Sequence, residues 1–490
     1  MKKFYCCFCF LLFLMPVWSQ EYKIIPNDYE STHWFGYSVA IDGEYAIVGT
    51  RKDHTYGYGT GAAYIFKQED SGWIQQVKLF ADDEFTFDGD GYGYEVAMSG
   101  NIALVGDYVH DVPENNSGAV HVYFLEDNEW QFMSKIIPAD NEAIDFFGAH
   151  ISLHNDLALI SSRGDDDVGE NFGSAYVYQL VDSEWQQQAK FTPNPNTSKD
   201  YSYGEALAIN DEFAVVGSYK DTTDGYEYSG TVYVYKKAGS EWIFDTQLSP
   251  ETPFERAIFG RTVAIEDNRI LVGAPGAEVD GVATGAAYMF ENMDGKWVQT
   301  AVLTVPTAKE SDNIGFHVSF SGQHAFISST EQEGLAESGL VHWFREINGR
   351  WIFQQTIKAS DNKPFSRYTF RGIDFSGNHL IVSAYSDHVI DFDDAGSAYI
   401  YDVCEFLSEG IDSLNYEITF YPNPTRGSIK INLPEACTQA NAMVYDVRGS
   451  LVGKYVIIGD HLDLSNLPSA LYMVQIQAPQ NEYLLKVLKK

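Results

Sequence analysis

Apolar and polar residues alternate in short runs along most of the chain, and the runs come in groups of four. The first group is residues 37–41, 45–49, 61–67 and 73–80, each bounded by Gly, Asp or Asn. Runs of this length, rich in Val, Ile, Tyr and Phe and broken by turn residues, predict β-strands rather than helices. They are named A, B, C and D in chain order. A and B are joined by a two-residue turn such as Asp42-Gly43, Ser99-Gly100, Ser321-Gly322 or Ser376-Gly377, where glycine supplies the positive φ of a tight hairpin.

The groups recur at near-constant spacing. The glycine of an aromatic-Gly pair falls at Gly36, Gly93, Gly148, Gly204 and Gly260, with a shifted version at Gly315. A tryptophan recurs at Trp73, Trp130, Trp185, Trp242, Trp297 and Trp351, and all these steps lie between 54 and 57 residues. Four antiparallel strands per repeat predict a propeller blade. Six groups are whole. A seventh starts at Tyr368 and reaches its C run at residues 396–401, with no tryptophan run after it. The missing strand lies at the other end, where Glu21-Tyr22-Lys23-Ile24-Ile25-Pro26 copies Ser134-Lys135-Ile136-Ile137-Pro138 at the end of a D run. The predicted fold is all-β: a seven-bladed β-propeller over 21–404, about 55 residues per four-stranded blade, closed by its N-terminal strand. A linker over 405–416 and a small Ig-like β-sandwich over 417–490 follow. The recurring aromatics are expected to pack between blades.

Composition narrows the function. The chain has 490 residues, 32 Lys and Arg against 69 Asp and Glu, a net charge of −37 and 45% apolar residues. It is too apolar for a disordered chain, and too acidic for a nucleic-acid binder, which gains affinity by setting Lys and Arg against phosphates. Lys2 and Lys3, the apolar run 4–15 and Ser19 predict a signal peptide over 1–20, cleaved after Ser19 or Gln20. No later run is long and apolar enough to span a membrane. Cys6, Cys7 and Cys9 leave with that segment. Cys404 and Cys437 remain, either as one disulfide or as two thiols.

In an antiparallel blade the D-to-A and B-to-C connections emerge on one face of the ring. These are the long loops, and they carry 36 acidic residues against nine basic ones. Three loops have the oxygen density that a calcium ion requires: Asp82, Asp83, Asp88 and Asp90; Asp165, Asp166 and Asp167; and Asp387, Asp391, Asp393 and Asp394. Calcium is the one cofactor these loops suggest, and a solvated acidic surface is the competing reading. Arg163-Gly164-Asp165 lies on the same face and is read as a chance tripeptide. No Gly-x-Ser-x-Gly, HExxH or phosphate-loop pattern occurs, and the histidines are scattered. Met293-Asp294-Gly295-Lys296-Trp297 is similar to the turn box of sialidase propellers, but lacks its serine and spacing. The acidic face also offers few arginines to hold a substrate carboxylate. No enzyme is expected.

Two stretches resemble known families. Phe35-Gly36-Tyr37-Ser38-Val39-Ala40-Ile41, Ile47-Val48-Gly49 and Leu271-Val272-Gly273-Ala274-Pro275-Gly276, followed by Gly285-Ala286-Ala287-Tyr288, resemble bacterial FG-GAP repeats, related to the integrin α-chain propeller. The calcium cage of those repeats sits in the A-to-B connection. Here that connection is a tight hairpin, so the resemblance does not imply calcium there.

The C-terminal domain resembles the type A sorting domain of the type IX secretion system. Its motifs are Phe420-Tyr421-Pro422-Asn423-Pro424 with Gly427, Val444-Tyr445-Asp446-Val447-Arg448-Gly449, residues 462–468 with Leu471-Tyr472, and the Lys486 to Lys490 end. The resemblance implies handling by type IX machinery of a Gram-negative cell, then release or attachment to lipopolysaccharide after the domain is removed. The expected function is a secreted or cell-surface, non-catalytic binding or adhesion protein for a glycan or protein ligand, acting through its acidic long-loop face. The alternatives are a propeller enzyme acting on polysaccharide and a structural envelope component.

Overall fold

Each group of four runs folds as one four-stranded antiparallel sheet, and seven such sheets are present. The computed structural model describes residues 21–403 except 56–58, 82–90, 112–113, 194–202, 331–337, 362 and 390–391. Beyond these it describes 420–421, 425, 427–431, 439–445, 451–458, 461–477 and 482–490. Blade 1 is Phe35–Asp42, Tyr45–Thr50, Ala62–Glu69 and Gly72–Leu79. Blade 2 is Tyr92–Ser99, Ile102–Asp107, Ala119–Glu126 and Glu129–Ile136. Blades 3 to 6 repeat the order, starting at Phe147, Tyr203, Thr262 and Val318. Blade 7 takes Tyr368–Ser376, His379–Ala384 and Ser397–Asp402 from the end of the propeller and Glu21–Ile24 from its start.

The seam follows the predicted pairing, with Glu21 opposite Tyr401 and Ile24 opposite Ala398. Polar contacts fasten it. Lys23 Nζ is 2.7 Å from Asp361 and 2.5 Å from Asp387, and Ser360 Oγ donates to Glu21 at 2.6 Å. On the hairpin face Asp42 of blade 1 accepts from Gly100 N of blade 2 at 2.7 Å and from Ser376 Oγ of blade 7 at 2.9 Å.

The burial of each strand explains its composition. Strand B is buried throughout in blades 1 to 4 and reads as a continuous apolar run, whereas strand D alternates buried and exposed positions. The core lies between blades. Tyr45 and Ile47 of blade 1, for example, pack with Val96, Met98 and Trp130 of blade 2. The strand D tryptophans do reach the preceding blade, as expected: Trp130 meets Tyr45 edge-on with ring centroids 5.6 Å apart, and Trp297 meets Phe213 at 5.1 Å.

The aromatic-Gly period has a steric cause. Gly36 has φ +85°, and a Cβ there would lie 2.2 Å from the Ser397 carbonyl oxygen in the neighbouring blade. Gly61, just before strand C, has φ +82°, and a Cβ would lie 2.0 Å from the Tyr92 carbonyl oxygen of blade 2. Backbone thus meets backbone at each junction, and parallel bridges such as Gly61 to Tyr92 and Gly118 to Phe147 tie blades together. The aromatic that opens strand A is matched to strand C of its own blade, in blade 7 as well, where Thr369 replaces the glycine. Tyr92, Tyr203 and Tyr368 bond the hydroxyls of Tyr123, Tyr235 and Tyr401 at 2.7, 2.7 and 2.9 Å, whereas Phe35 and Phe259 face Phe66 and Phe290. Blade 3 mixes the two, with Phe147 facing Tyr178, whose hydroxyl donates instead to Gln187 Oε1 at 3.4 Å.

The C-terminal strands form one seven-stranded antiparallel sheet. The short strand His461–Asp463 pairs with both Ser428–Ile431 and Leu451–Ile458, so the two layers of the expected sandwich are continuous through it. A parallel bridge from Thr425 to Lys489 brings the far ends together around Ile429, Ile431, Val444, Leu462, Val474 and Val487. Of the sorting-motif residues, Tyr472 is buried and donates to the Pro468 carbonyl at 2.9 Å, and Gly427 N donates to Thr425 Oγ1 at 3.1 Å. Tyr421, Tyr445, Leu471 and Lys486 lie in strands. Pro422, Asn423, Pro424, Asp446 and Gly449 lie outside the described residues, as do Cys404, Cys437 and residues 1–20.

The junction glycines give a stability test. Gly61→Ala combines a positive φ with a backbone clash and is expected to cost about 3 kcal/mol or more. Gly43→Ala, at φ +56° with no atom within 4 Å, should cost only about 1 kcal/mol. Urea midpoints of the two variants measure the difference, and equal losses would remove the steric account.

Candidate functional site

The long-loop face is organised by a recurring clamp. Three residues beyond strand B lie Asp53, Asp165, Asp221 and Asp387, all buried. Each accepts a hydroxyl from a strand C tyrosine: Tyr64 at 3.0 Å, Tyr176 at 3.1 Å, Tyr233 at 2.8 Å and Tyr399 at 3.2 Å. In three blades a strand D lysine completes the clamp. Lys78 lies 2.7 Å from Asp53, Lys190 2.7 Å from Asp165, and Lys23 2.5 Å from Asp387. A D-to-A loop carboxylate, Asp28, Asp140 or Asp361, binds the same ammonium. Burial works against these lysines, but the paired carboxylates outweigh it and raise all three above their ordinary value.

These clamps bear on the calcium loops. The buried Asp165 carboxylate bonds Ser174, Tyr176 and Lys190, and Asp167 shares Lys190 at 2.7 Å; Asp166 is exposed. Asp387 is held by Ser397, Tyr399 and Lys23. Asp393 is exposed and Asp394 half-buried. Asp82, Asp83, Asp88, Asp90 and Asp391 lie outside the described residues. In these two loops, therefore, Asp165, Asp167 and Asp387 are paired with the protein's own lysines. The buried Asp165 also keeps Arg163-Gly164-Asp165 from being presented as an exposed tripeptide.

The expectation of few arginines on this face fails at the ring axis. The first residue after strand B reads Arg51, Tyr108, Arg163, Tyr219 and Tyr385 in blades 1, 2, 3, 4 and 7. The starts of the A strands add Tyr37, Tyr94, Arg261, Phe316, Phe370 and Arg371. Side chains dispersed over the sequence converge here because all seven A strands surround the axis. Arg51 donates to the hydroxyls of Tyr37 at 3.3 Å and Tyr108 at 2.8 Å. Arg371 lies 4.0 Å over the Tyr37 ring, Arg163 5.3 Å over Tyr108, and Arg261 5.1 Å over Phe316. Arg367 donates to the Tyr385 hydroxyl, and Lys52 lies 3.4 Å over Trp34. The tyrosines at positions 37, 94, 108 and 385 are buried, while Arg51, Arg163, Arg261 and Arg371 stay half-buried. Among the described residues Arg261 has no carboxylate within ion-pair distance.

From Arg261 and Arg371 the A strands line a channel of about 810 Å³ that runs to the A-to-B hairpins on the opposite face, at Asp42, Ser99, His154, Asp267, Ser321 and Ser376. His150 stands between two carboxylates, with Nδ1 3.8 Å from Glu95 and Nε2 3.7 Å from Glu205. Their environments differ. Burial raises the Glu95 pKa, and His150 and Arg371 offset this only in part. Burial would raise Glu205 as well, but His150, Arg261 and Arg163 prevail and hold it at about 2. His317 is pushed down to about 3 by burial first and then by Arg261. Sequence counting missed this cluster because it counted charge per loop and not per position of the repeat. The Arg/Tyr alternation after strand B was the available signal.

Seven closed blades followed by a separate β domain define a repeat-propeller protein with an appended C-terminal module. Family comparisons match the FG-GAP repeat at residues 18–66, 73–123, 130–178, 185–235 and 242–290, and the chain belongs to this family. Each matched unit after the first starts in a strand D and runs through A, B and C, one strand out of phase with the blade, which is the offset that the seam in blade 7 requires. Residues 419–490 match the secretion system C-terminal sorting domain. That domain belongs to type IX secretion in Gram-negative bacteria, so the protein is handled by that machinery and destined for the outer-membrane surface or the exterior. No curated protein matches the chain.

The channel groups set a pH dependence. The His317 imidazole is neutral in the fold and ordinarily protonates near 6.5, so its contribution is complete above pH 6.5 and is lost as pH falls toward 3. The Glu205 contribution is complete above 4.5 and is lost toward pH 2. Stability should therefore fall with acid. Between pH 6.5 and 4.5 the His317→Gln chain should show a slope smaller by up to about 1.4 kcal/mol per pH unit, read from urea midpoints. Unchanged slopes would contradict a buried neutral His317. For export, removing residues 417–490 should leave the propeller inside the cell, and its recovery from the medium by fractionation would count against the sorting assignment.

Proposed function

We propose that the mature protein is a non-catalytic binding or adhesion protein, released from the cell or held on lipopolysaccharide after export. Its ligand is a glycan bearing isolated carboxylates, received at the axial mouth of the long-loop face. The observation that carries this reading is the arginine and aromatic cluster at that mouth, with Arg261 unpaired by any described carboxylate. Guanidinium groups bind carboxylates in a bidentate fork, and aromatic surroundings position the flat faces of a ligand. The acidic loops around the mouth repel a densely charged polyanion but admit a chain with a single charge near its end, so attraction and repulsion act together in selection.

One observation favours a catalytic reading, in which the channel acts on polysaccharide. Glu95 and Glu205 flank His150 with pKa values displaced in opposite directions, as in an acid and base pair. Against it, Glu95 and Glu205 line the channel that runs to the A-to-B hairpins, on the face opposite the arginine and aromatic mouth.

Binding of the full chain to immobilised uronic-acid oligosaccharides and to neutral ones separates the possibilities. Preference for the acidic ligands is expected, with affinity falling with salt and about tenfold or more weaker for Arg261→Met. Equal binding to neutral glycans, or no effect of Arg261→Met, would reject the carboxylate mouth. Turnover of the ligand that is abolished by Glu95→Gln would establish the enzyme instead.

A further inference from the structure

Blade 2 departs from the clamp of its neighbours at three positions together. Where blades 1 and 3 end strand B in Thr50 and Ser162, blade 2 has Asp107. Where they carry Asp53 and Asp165, it has His110, and in place of Tyr64 and Tyr176 on strand C it has His121. The strand D lysine of the motif is still there, since Lys135 stands opposite His121 as Lys78 stands opposite Tyr64. The exchange removes the Asp–Tyr pair and puts two imidazoles and a carboxylate in the same space.

All three side chains are buried, with exposures of 6% for His110 and 0% for Asp107 and His121. Their candidate ligand atoms lie within 4.8 Å of one another, and this is the one such group among the described residues. His110 Nδ1 and His121 Nε2 stand 3.2 and 3.8 Å from Asp107 Oδ2. Neither contact has hydrogen-bond geometry, for Asp107 Oδ2 and both ring nitrogens of His121 have no hydrogen-bond partner. The other carboxylate oxygen, Oδ1, accepts from Gly91 N at 3.1 Å, which fixes the rotation of the group and leaves Oδ2 turned to the histidines. The loop is fixed too, because Gly118 N donates to the His110 carbonyl at 3.0 Å and His110 N to the Asp107 carbonyl at 3.1 Å.

Blade 6 shows what a lone histidine at the Tyr64 position looks like. His342 has Thr356 Oγ1 3.0 Å from Nδ1 and Ser329 Oγ 3.0 Å from Nε2, so both its nitrogens are satisfied by hydroxyls. His121 has no such hydroxyls, and an unsatisfied buried polar group costs about 1–3 kcal/mol. Something else must satisfy it. In a tetrahedral site with bonds of about 2.0 Å, neighbouring ligand atoms are about 3.3 Å apart, which the two contacts to Asp107 bracket.

We propose that Asp107, His110 and His121 bind a divalent zinc-type ion that staples strand B, the B-to-C loop and strand C of blade 2, in the place the Asp–Tyr–Lys clamp occupies in its neighbours. The two nitrogen donors and single carboxylate select zinc over calcium, which takes six to eight oxygens. A water completes the shell.

The test uses the full chain purified in chelator, then incubated with Zn²⁺ or Co²⁺ alone and desalted. About one ion per chain should be retained, with Co²⁺ giving the intense visible absorption of a tetrahedral N/O site and Zn²⁺ raising the melting temperature. The triple variant Asp107→Ser, His110→Asp, His121→Tyr rebuilds the clamp of blade 3 around Lys135. It should stay folded by circular dichroism and retain no ion. Should that variant misfold, Asp107→Asn tests the same site and should weaken Co²⁺ binding at least about tenfold. A native chain that retains no ion, or variants that bind as well as it does, would overturn the proposal.

Discussion

The whole ring rests on how closely one blade's backbone may approach the next. Just before strand C in every blade, and at the start of strand A in blades 1 to 6, glycine sits at positive φ where the backbone of the adjacent blade leaves little room for a side chain; blade 7 alone places a residue with a side chain, Thr369, at the strand A position, at φ +73°. The close approach permits the parallel bridges between blades and brings their apolar layers into contact. The tyrosine and phenylalanine pairs at these junctions are a second-order adjustment, giving each buried hydroxyl a partner, another hydroxyl in blades 2, 4 and 7 and the Gln187 side chain in blade 3.

Charge is arranged concentrically on the long-loop face. A part of the acidity seen in the loops is paired within the molecule, because Asp53, Asp165 and Asp387 each hold a lysine against a buried tyrosine. What reaches solvent is a negative rim around a mouth where guanidinium groups rest on aromatic faces. The net charge of the chain therefore describes the rim and conceals the centre.

The architecture was legible in the sequence because the glycine and tryptophan periods record contacts that recur at every junction. Blade number, the seam through residues 21–24 and the tight A-to-B hairpins all follow from that register. The sorting motifs were equally plain, being local. The axial cluster was not, since Arg51, Arg163, Arg261 and Arg371 come from four blades and meet only when the ring closes. The clamps were hidden for a related reason: Asp53, Tyr64 and Lys78 sit in three successive elements, and counting carboxylates treats a paired aspartate like a free one. His110 and His121 looked scattered because their shared partner, Asp107, was one acidic residue among 69.

The seam joins the two most distant parts of the propeller chain. Its two sides, Glu21–Ile24 and Ser397–Asp402, are separated by nearly the whole propeller, so their pairing carries the largest loop-closure cost in the molecule. Until it forms, strand Ser397–Asp402 has an open edge, and Asp387 and Asp361 lack the lysine that neutralises them. The seam is thus the contact that depends most on the rest of the ring: residues 21–24 meet their partners only when the blades between them have brought the two ends of the propeller together.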